Sequence, residues 1–323
     1  MTKRIYYFDN LKFILISLVV IGHFLQNYMN IPLYKGLWIY VYSFHMPAFF
    51  VIAGYFHRNS NIGEKVIRYV CLGIMSKICL SMIKFIWGGK LTFSLLIEKD
   101  LPWFMYVMAI HVLLAYLLRN FNKKFVLSFF VILTLFIGYD RTIGDFLCLY
   151  RAIIFFPFYV LGMLITPDFI ERIKEYKITG LTILVSWLVL CLMFTNDVVH
   201  LGGYFTGRNP FSNKVYPYGS LIRIVATTIS AMICMSLFAV TSSSNIKYIT
   251  KLGEKTLQIY LWHRIFLYCY TGAFIGDTII KHSYGAVVWP ILAVITVFFT
   301  SHDIFQYPFC IIDKGIDNKG GTK

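Results

Sequence analysis

The first apolar stretch of the sequence carries two side chains that can do chemistry, those of Lys12 and His23. They are eleven residues apart, which in an α-helix is three turns plus about 20° and a rise of about 16 Å, so both lie on one helix face. An imidazole can act as a general base or as a nucleophile. Snorkelling of Lys12 to headgroups and an interhelical hydrogen bond of His23 are the alternatives, but the shared face favours a polar path along the helix.

The second apolar stretch, SFHMPAFFVIAGYF, places His45 about one helical turn in from its outer end. His23 and His45 could therefore meet at a similar depth in the membrane. Pro47 removes a helix hydrogen bond and Gly54 allows close approach of another helix, features that accompany built sites and also occur in ordinary membrane helices. A structural role for His45 stays open.

Charged residues inside membrane spans are costly, so each one calls for a reason. His263 and Arg264 interrupt an apolar stretch near mid-membrane, where snorkelling alone hardly explains them, and both should face protein or water. Arg151 opens another stretch at its outer edge and is either an anchor or a donor to an oxyanion. Arg223 has the same two interpretations, whereas His111 is predicted to be a hydrogen-bonded core histidine.

Lys65 and Arg68 lie three residues apart at the predicted cytoplasmic start of the third span, on one helix face. Ammonium and guanidinium groups make charge-assisted hydrogen bonds to phosphate oxygens, so this pair could bind a cytosolic nucleotide. From the residues alone, the enrichment of cations on the cytoplasmic side of membrane proteins is the better explanation.

The composition predicts that these residues sit in a membrane protein. The chain has 323 residues, of which 58% are hydrophobic and 14% charged, and its mean hydropathy is +0.69. Ten spanning helices of about 20 residues would use about 200 residues and leave only short connections. This excludes a separate catalytic, DNA-binding or extracellular module of ordinary size. The net charge of +15 then indicates loops beside anionic lipid, with no nucleic acid as partner.

The predicted fold is an all-α, polytopic membrane helix bundle with about ten transmembrane helices and both termini in the cytoplasm. The apolar stretches fall at about 11–30, 37–56, 66–88, 103–119, 125–139, 150–166, 178–195, 220–241, 256–274 and 286–309. The cytoplasmic orientation of the N-terminus follows because it places most lysines and arginines of the connections inside. We expect a single domain over residues 1–323 without a fused soluble domain.

Five sequence motifs follow one another in the order FDNLKFILISLVVIGHF, SFHMPAFFVIAGYF, PWFM, RAIIFFPFYVLG and LGEKTLQIYLWHRIF. Together they resemble the family 3 membrane acyltransferases, especially the fucose 4-O-acetylase-like branch, and they cover residues 4 to about 268. The resemblance implies an enzyme of the bacterial cytoplasmic membrane that takes acetyl from cytosolic acetyl-CoA. It would place the acetyl group on a sugar hydroxyl of a cell-surface or lipid-linked polysaccharide.

The resemblance also implies roles for individual residues. The family pattern of a basic residue, ten residues and a histidine matches Lys12 and His23, and the histidine is the family's presumed catalytic residue. The cytoplasmic pair of basic residues matches Lys65 and Arg68, which favours their binding acetyl-CoA phosphates. His45 falls on the histidine of the family's second-span motif.

On this hypothesis, the basic residues hold the acetyl-CoA phosphates at the inner mouth while the pantetheine arm extends toward His23. His23 acts as general base on the sugar hydroxyl or accepts the acetyl group covalently. His45, Arg151 and His263 could orient His23 or stabilise the oxyanion, and the sequence does not assign these roles.

Two other functions stay open from the sequence. One is a carrier or flippase for a lipid-linked sugar, in which Lys12 and His23 bind without catalysing; the lack of a clear mid-span Asp or Glu speaks against it. The other is transfer of a longer acyl group or transfer to a non-sugar acceptor. The seven cysteines show no spacing typical of metal or redox sites, so no metal is predicted.

Overall fold

The computed structural model describes residues 6–90, 94, 96–98, 100–208, 210–213 and 215–312. These residues form an almost entirely helical protein, with an isolated β-bridge between Ile97 and Phe146. The α-helices are α1 (Tyr6–Leu25), α2 (Pro32–Tyr42), α3 (His45–Tyr55), α4 (Ile62–Ile86), α5 (Trp103–Leu117), α6 (Lys123–Phe136), α7 (Leu149–Leu164), α8 (Pro167–Ile173), α9 (Lys177–Met193), α10 (Thr195–Val198), α11 (Gly202–Thr206), α12 (Gly219–Val240), α13 (Lys247–Gly253), α14 (Thr256–Gly272), α15 (Ile275–Lys281) and α16 (Gly285–Thr300). Short 3₁₀ turns cover Gln26–Tyr28, Ile137–Tyr139, Lys174–Tyr176, Val199–Leu201, Tyr216–Tyr218 and Asp303–Gln306.

Five helical segments of the described chain are long and apolar enough to cross a membrane. They are Tyr6–Tyr28, Pro32–Tyr55, Ile62–Ile86, Pro167–Met193 and Tyr216–Val240. The shorter apolar helices are Trp103–Leu117, Leu149–Leu164 and Gly285–Thr300. The predicted all-α membrane protein is confirmed, whereas the count of ten spans and the cytoplasmic termini stay predictions.

The second predicted span is interrupted, because α2 ends at Tyr42 and α3 begins at His45. Ser43 stabilises the break between the two helices. Its hydroxyl donates a hydrogen bond to the Tyr40 carbonyl at 2.7 Å and accepts one from the Trp187 indole at 2.9 Å. Pro47 occupies the first turn of α3, where backbone N–H groups have no partner within the helix. The expectation that His45 lies one turn inside a helix and that Pro47 removes a helix hydrogen bond is therefore wrong.

Helices α3 and α7 pack with their backbones in contact. A Cβ atom added to Gly54 would lie 1.9 Å from the Tyr159 carbonyl oxygen, and one added to Gly162 would lie 2.0 Å from that of Val51. Both positions therefore require glycine, as the sequence suggested for Gly54. Helix α1 contacts α2, α3, α13, α14 and α16, so its side chains lie at the centre of the protein.

The connection between α9 and α12 contains the short helices α10 and α11. It lies over α2 at Gly202, where an added Cβ atom would be 2.6 Å from the Trp38 ring. Trp38 itself is buried. This segment therefore covers part of the bundle instead of extending from it.

Candidate functional site

A cavity of about 660 Å³ runs along one face of α1. Lys12, Ile16, Val19 and His23 line it, and steps of four, three and four residues keep side chains on one side of a helix. The cavity is therefore lined by the face on which the sequence places Lys12 and His23 together. The other polar or aromatic residues lining it are Gln26, Trp38, Tyr42, His45, Arg68, Tyr69, Asp100, Trp103, Phe104, Arg151, Thr206, Arg208, Glu254, Thr256, Tyr260 and Arg264, with Phe49 and Phe205.

His23 is held by side chains from three other segments. Its Nδ1 atom is hydrogen-bonded to the Tyr42 hydroxyl at 3.1 Å, and that hydroxyl donates to Oε1 of Gln26 at 3.0 Å. The ring of His263 stacks on the ring of His23 with 5.3 Å between centroids. His263 donates from Nδ1 to the Ile259 carbonyl at 3.0 Å, which fixes its own ring. The imidazole of His23 is thereby fixed in plane and position.

His45 reaches the same part of the cavity through Tyr42. The His45 ring packs edge-on against the Tyr42 ring at 4.8 Å, and its Nδ1 donates to the Val41 carbonyl at 2.8 Å. Tyr42 thus touches the rings of both His23 and His45. The two histidines do lie near one another, as the sequence suggested, with a tyrosine between them.

Asp100 brings a carboxylate into the cavity. It accepts a hydrogen bond from Arg264 Nε at 3.0 Å, one from Lys84 Nζ at 2.7 Å, and one from the Tyr268 hydroxyl. Burial alone would raise the pKa of the Asp100 carboxyl, but the charges of Arg264 and Lys84 and the donated hydrogen bonds hold this pKa well below its usual range. Arg264, expected to face protein or water, faces this carboxylate.

Arg151 is buried at the start of α7 and lines the cavity. Its guanidinium lies over the Trp103 ring at 4.3 Å, an arrangement in which the aromatic face stabilises the cation. Among the residues that the structure describes, none accepts a hydrogen bond from the Nε–H of Arg151. A donor buried without a partner costs free energy, so this group is available to a bound molecule.

Two of the three predicted phosphate-binding residues line the cavity. Lys12 and Arg68 both line it, and Lys12 pairs with Asp9 at 2.8 Å. Lys65 lies outside the lining, and its Nζ donates to the Arg58 carbonyl at 2.8 Å. Lys12 and Arg68 therefore face the same cavity, and Lys65 does not.

Two other singled-out residues belong to the core. His111 is fully buried and is hydrogen-bonded through Nε2 to the Ala152 carbonyl at 2.8 Å, which confirms its predicted structural role. Arg223 is also buried, donates to the Tyr204 carbonyl at 2.8 Å and packs on the rings of Tyr204 and Phe211. It does not line the cavity.

Sequence reasoning missed three residues of the site, namely Gln26, Tyr42 and Asp100. Gln26 follows His23 by three residues, a spacing that places both on one helical face, and this signal could have found it. Tyr42 is one of 23 tyrosines in the chain, so its residue type alone gives no signal. Asp100 lies in a polar connection, where a carboxylate attracts no notice.

Within the part of the chain that the structure describes, no three His, Cys, Asp or Glu side chains are grouped so that they could hold a metal ion. Charged groups of the cavity instead form ion pairs, as Arg264 does with Asp100 at 3.0 Å.

Residues 5–301 match the family model described as "Acyltransferase domain". The chain belongs to the family 3 acyltransferases. The resemblance seen in the five motifs is thereby confirmed. The chain is also 28% identical over 221 residues to nodulation protein NolL of Sinorhizobium fredii (strain NBRC 101917 / NGR234). This match covers 58% of the chain and 56% of NolL, so the chain spans about half the length of that relative. No solved structure matches the chain significantly.

Proposed function

We propose that this protein is a membrane O-acetyltransferase that moves acetyl from cytosolic acetyl-CoA to a sugar hydroxyl of a cell-surface or lipid-linked polysaccharide. Its place would be the bacterial cytoplasmic membrane. The observation that carries the proposal is that one cavity is lined by Lys12 and, further along the same helix face, by the constrained imidazole of His23. Membership of the acyltransferase family supports the reaction type.

In this proposal, Lys12 and Arg68 bind the phosphates of acetyl-CoA at the inner end. An ammonium group has three N–H donors, so Lys12 can contact Asp9 and a phosphate oxygen together. The pantetheine arm then follows Ile16 and Val19 along α1, over a rise of about 16 Å between Lys12 and His23. Lys65 takes no part, because its amine is directed to the Arg58 carbonyl.

The acyl transfer then needs only groups that line the cavity. His23 Nε2 accepts the proton of the sugar hydroxyl while the sugar oxygen attacks the thioester carbonyl carbon. The oxyanion that forms accepts a hydrogen bond from Arg151, whose Nε–H has no other partner among the described residues. The carbon–sulfur bond breaks, the CoA thiolate takes the proton from His23, and the sugar carries an acetyl ester. His45 and His263 act as positioning residues, through Tyr42 and through the stacked ring.

The test is transfer of radiolabelled acetyl from acetyl-CoA into surface polysaccharide in isolated membranes. His23→Ala should abolish transfer while the variant remains in the membrane at wild-type amount. His282→Ala is the matched control, because His282 is an exposed histidine outside the cavity, and it should transfer normally.

Normal transfer by His23→Ala would overturn the assignment of His23. Absence of acetyl-CoA-dependent label with wild-type protein and a competent acceptor would overturn the acetyltransferase proposal and favour a carrier for a lipid-linked sugar.

A further inference from the structure

A chain of two hydrogen bonds links His23 to neutral partners. Tyr42, at the end of α2, is buried and lies within hydrogen-bonding distance of both His23 Nδ1 and Gln26 Oε1. Gln26 begins the turn that follows α1. The three side chains therefore form a line that starts at an amide carbonyl oxygen and ends at the imidazole.

The position of each hydrogen in this line follows from the number of donors. The tyrosine hydroxyl has a single hydrogen, and a carbonyl oxygen can only accept. The Tyr42 hydrogen goes to Gln26 Oε1, so the Tyr42 oxygen faces His23 with a lone pair. Nδ1 of His23 must then carry a hydrogen and donate it to Tyr42. A neutral imidazole has only one N–H, so its Nε2 atom is left with a lone pair.

We infer that Gln26 and Tyr42 are positioning residues that keep His23 in the tautomer with hydrogen on Nδ1, so that Nε2 is the basic atom. The catalytic consequence rests on the proposed function, because only Nε2 in this state can take the proton of the acceptor hydroxyl. When Nε2 becomes protonated, the Tyr42 oxygen still accepts from Nδ1 and stabilises the imidazolium.

The nearby carboxylate does not perform this task. Asp100 lines the same cavity, but its two oxygen atoms accept from Arg264, Lys84 and Tyr268. A second carboxylate beside His23 would bring another charge into the membrane interior, where charges are costly. Neutral groups fix the tautomer without that cost.

Nitrogen-15 NMR of the full-length protein in lipid, labelled at histidine, reads the tautomer directly and needs no acceptor. The His23 signals are assigned by their loss in His23→Gln. We expect a protonated Nδ1 and an unprotonated Nε2 in wild type and in Gln26→Glu, because glutamate at this position also accepts only. Gln26→Lys should show the opposite tautomer, because an ammonium donates only and turns the Tyr42 hydrogen toward His23. A wild-type spectrum with hydrogen on Nε2 would overturn the inference.

Kinetics test the consequence with the same variants. Gln26→Lys should lower kcat by about 10²-fold, the order expected when a general base carries its proton on the wrong atom, with KM for acetyl-CoA unchanged. Tyr42→Phe should lower kcat by a smaller factor than Gln26→Lys, because an imidazole without a partner at Nδ1 samples both tautomers.

The double variant Tyr42→Phe, Gln26→Lys should have a higher kcat than Gln26→Lys, close to the kcat of Tyr42→Phe. The reason is that Gln26 acts only through Tyr42. A double variant slower than either single variant would show a merely structural role and overturn the inference. If His23→Ala stays active while the spectra are as expected, the proposed function fails and the tautomer assignment stands. If His23→Ala is inactive and the spectra are reversed, the inference alone fails.

Discussion

The two ends of the cavity are built differently. At one end, Lys12 is partly exposed, with 29% of its side-chain surface accessible, and it pairs with Asp9. Further along, Asp100 and Arg264 are each 17% accessible and share a network with Tyr268 and with Lys84, whose side chain is 39% accessible. An ammonium group has three N–H donors, so Lys12 can bind an anion in addition to Asp9, whereas the several bonds to Asp100 hold its network in place before a substrate arrives. We therefore expect substitutions at the Lys12 end to change binding and substitutions in the Asp100 network to change the stability of the fold.

Of the substitutions predicted here, removal of the Asp100 charge should have the largest effect, and that effect should be on the stability of the fold. Asp100→Asn leaves Arg264 and Lys84 without their carboxylate, and an uncompensated buried charge costs about 3 kcal/mol. We expect a correspondingly lower free energy of unfolding, measured by thermal denaturation in detergent. Asp303→Asn is the control, because it removes a carboxylate that is largely exposed and pairs with Lys255 at the surface, and it should leave the melting temperature unchanged. Equal effects of both substitutions would refute the contrast.

Substitutions of Lys12 and Arg68 should weaken the binding of acetyl-CoA and leave the fold intact. Lys12→Ala and Arg68→Ala should each raise KM for acetyl-CoA about tenfold, the order expected for one charge-assisted hydrogen bond to phosphate. The increase should be smaller at high salt. Lys65→Ala is the matched variant, since it removes a neighbouring cation outside the cavity, and its KM should stay near wild type. If Lys65→Ala raised the KM for acetyl-CoA most, Lys65 would bind the phosphates together with Arg68, as the sequence suggested.

The smallest effect concerns pH. The pKa of Asp100 is depressed in the folded protein, so its carboxylate stabilises the fold above its unfolded pKa of about 4 and loses this effect as the pH falls through the lower folded value. The stability difference between wild type and Asp100→Asn should therefore be constant from about pH 8 to about pH 5 and shrink below about pH 4. Melting curves across this range check it. A difference that already shrinks at neutral pH would contradict an ion pair as its source.

The parts of the molecule that the sequence predicted depend on local periodicity. Lys12 and His23 share a face because both belong to one uninterrupted helix, and Gly54 packs closely because no other residue fits there. The break before His45 was missed because Ser43 is held by Trp187, a residue more than a hundred positions away. The partners of Arg264 and the separation of Lys65 from Lys12 likewise depend on how distant segments meet, which residue spacing alone does not specify.

The contact between Gly54 and Gly162 has a mechanical consequence. Because the backbones of α3 and α7 touch directly, the two helices have no side-chain layer between them that could be compressed or repacked, and they should move as one rigid body. His45 on α3 and Arg151 on α7 then keep a constant separation. Any widening of the cavity has to come from another wall, such as the segment from 202 to 208, which lies outside the long helices and supplies Gly203, Phe205, Thr206 and Arg208 to the lining.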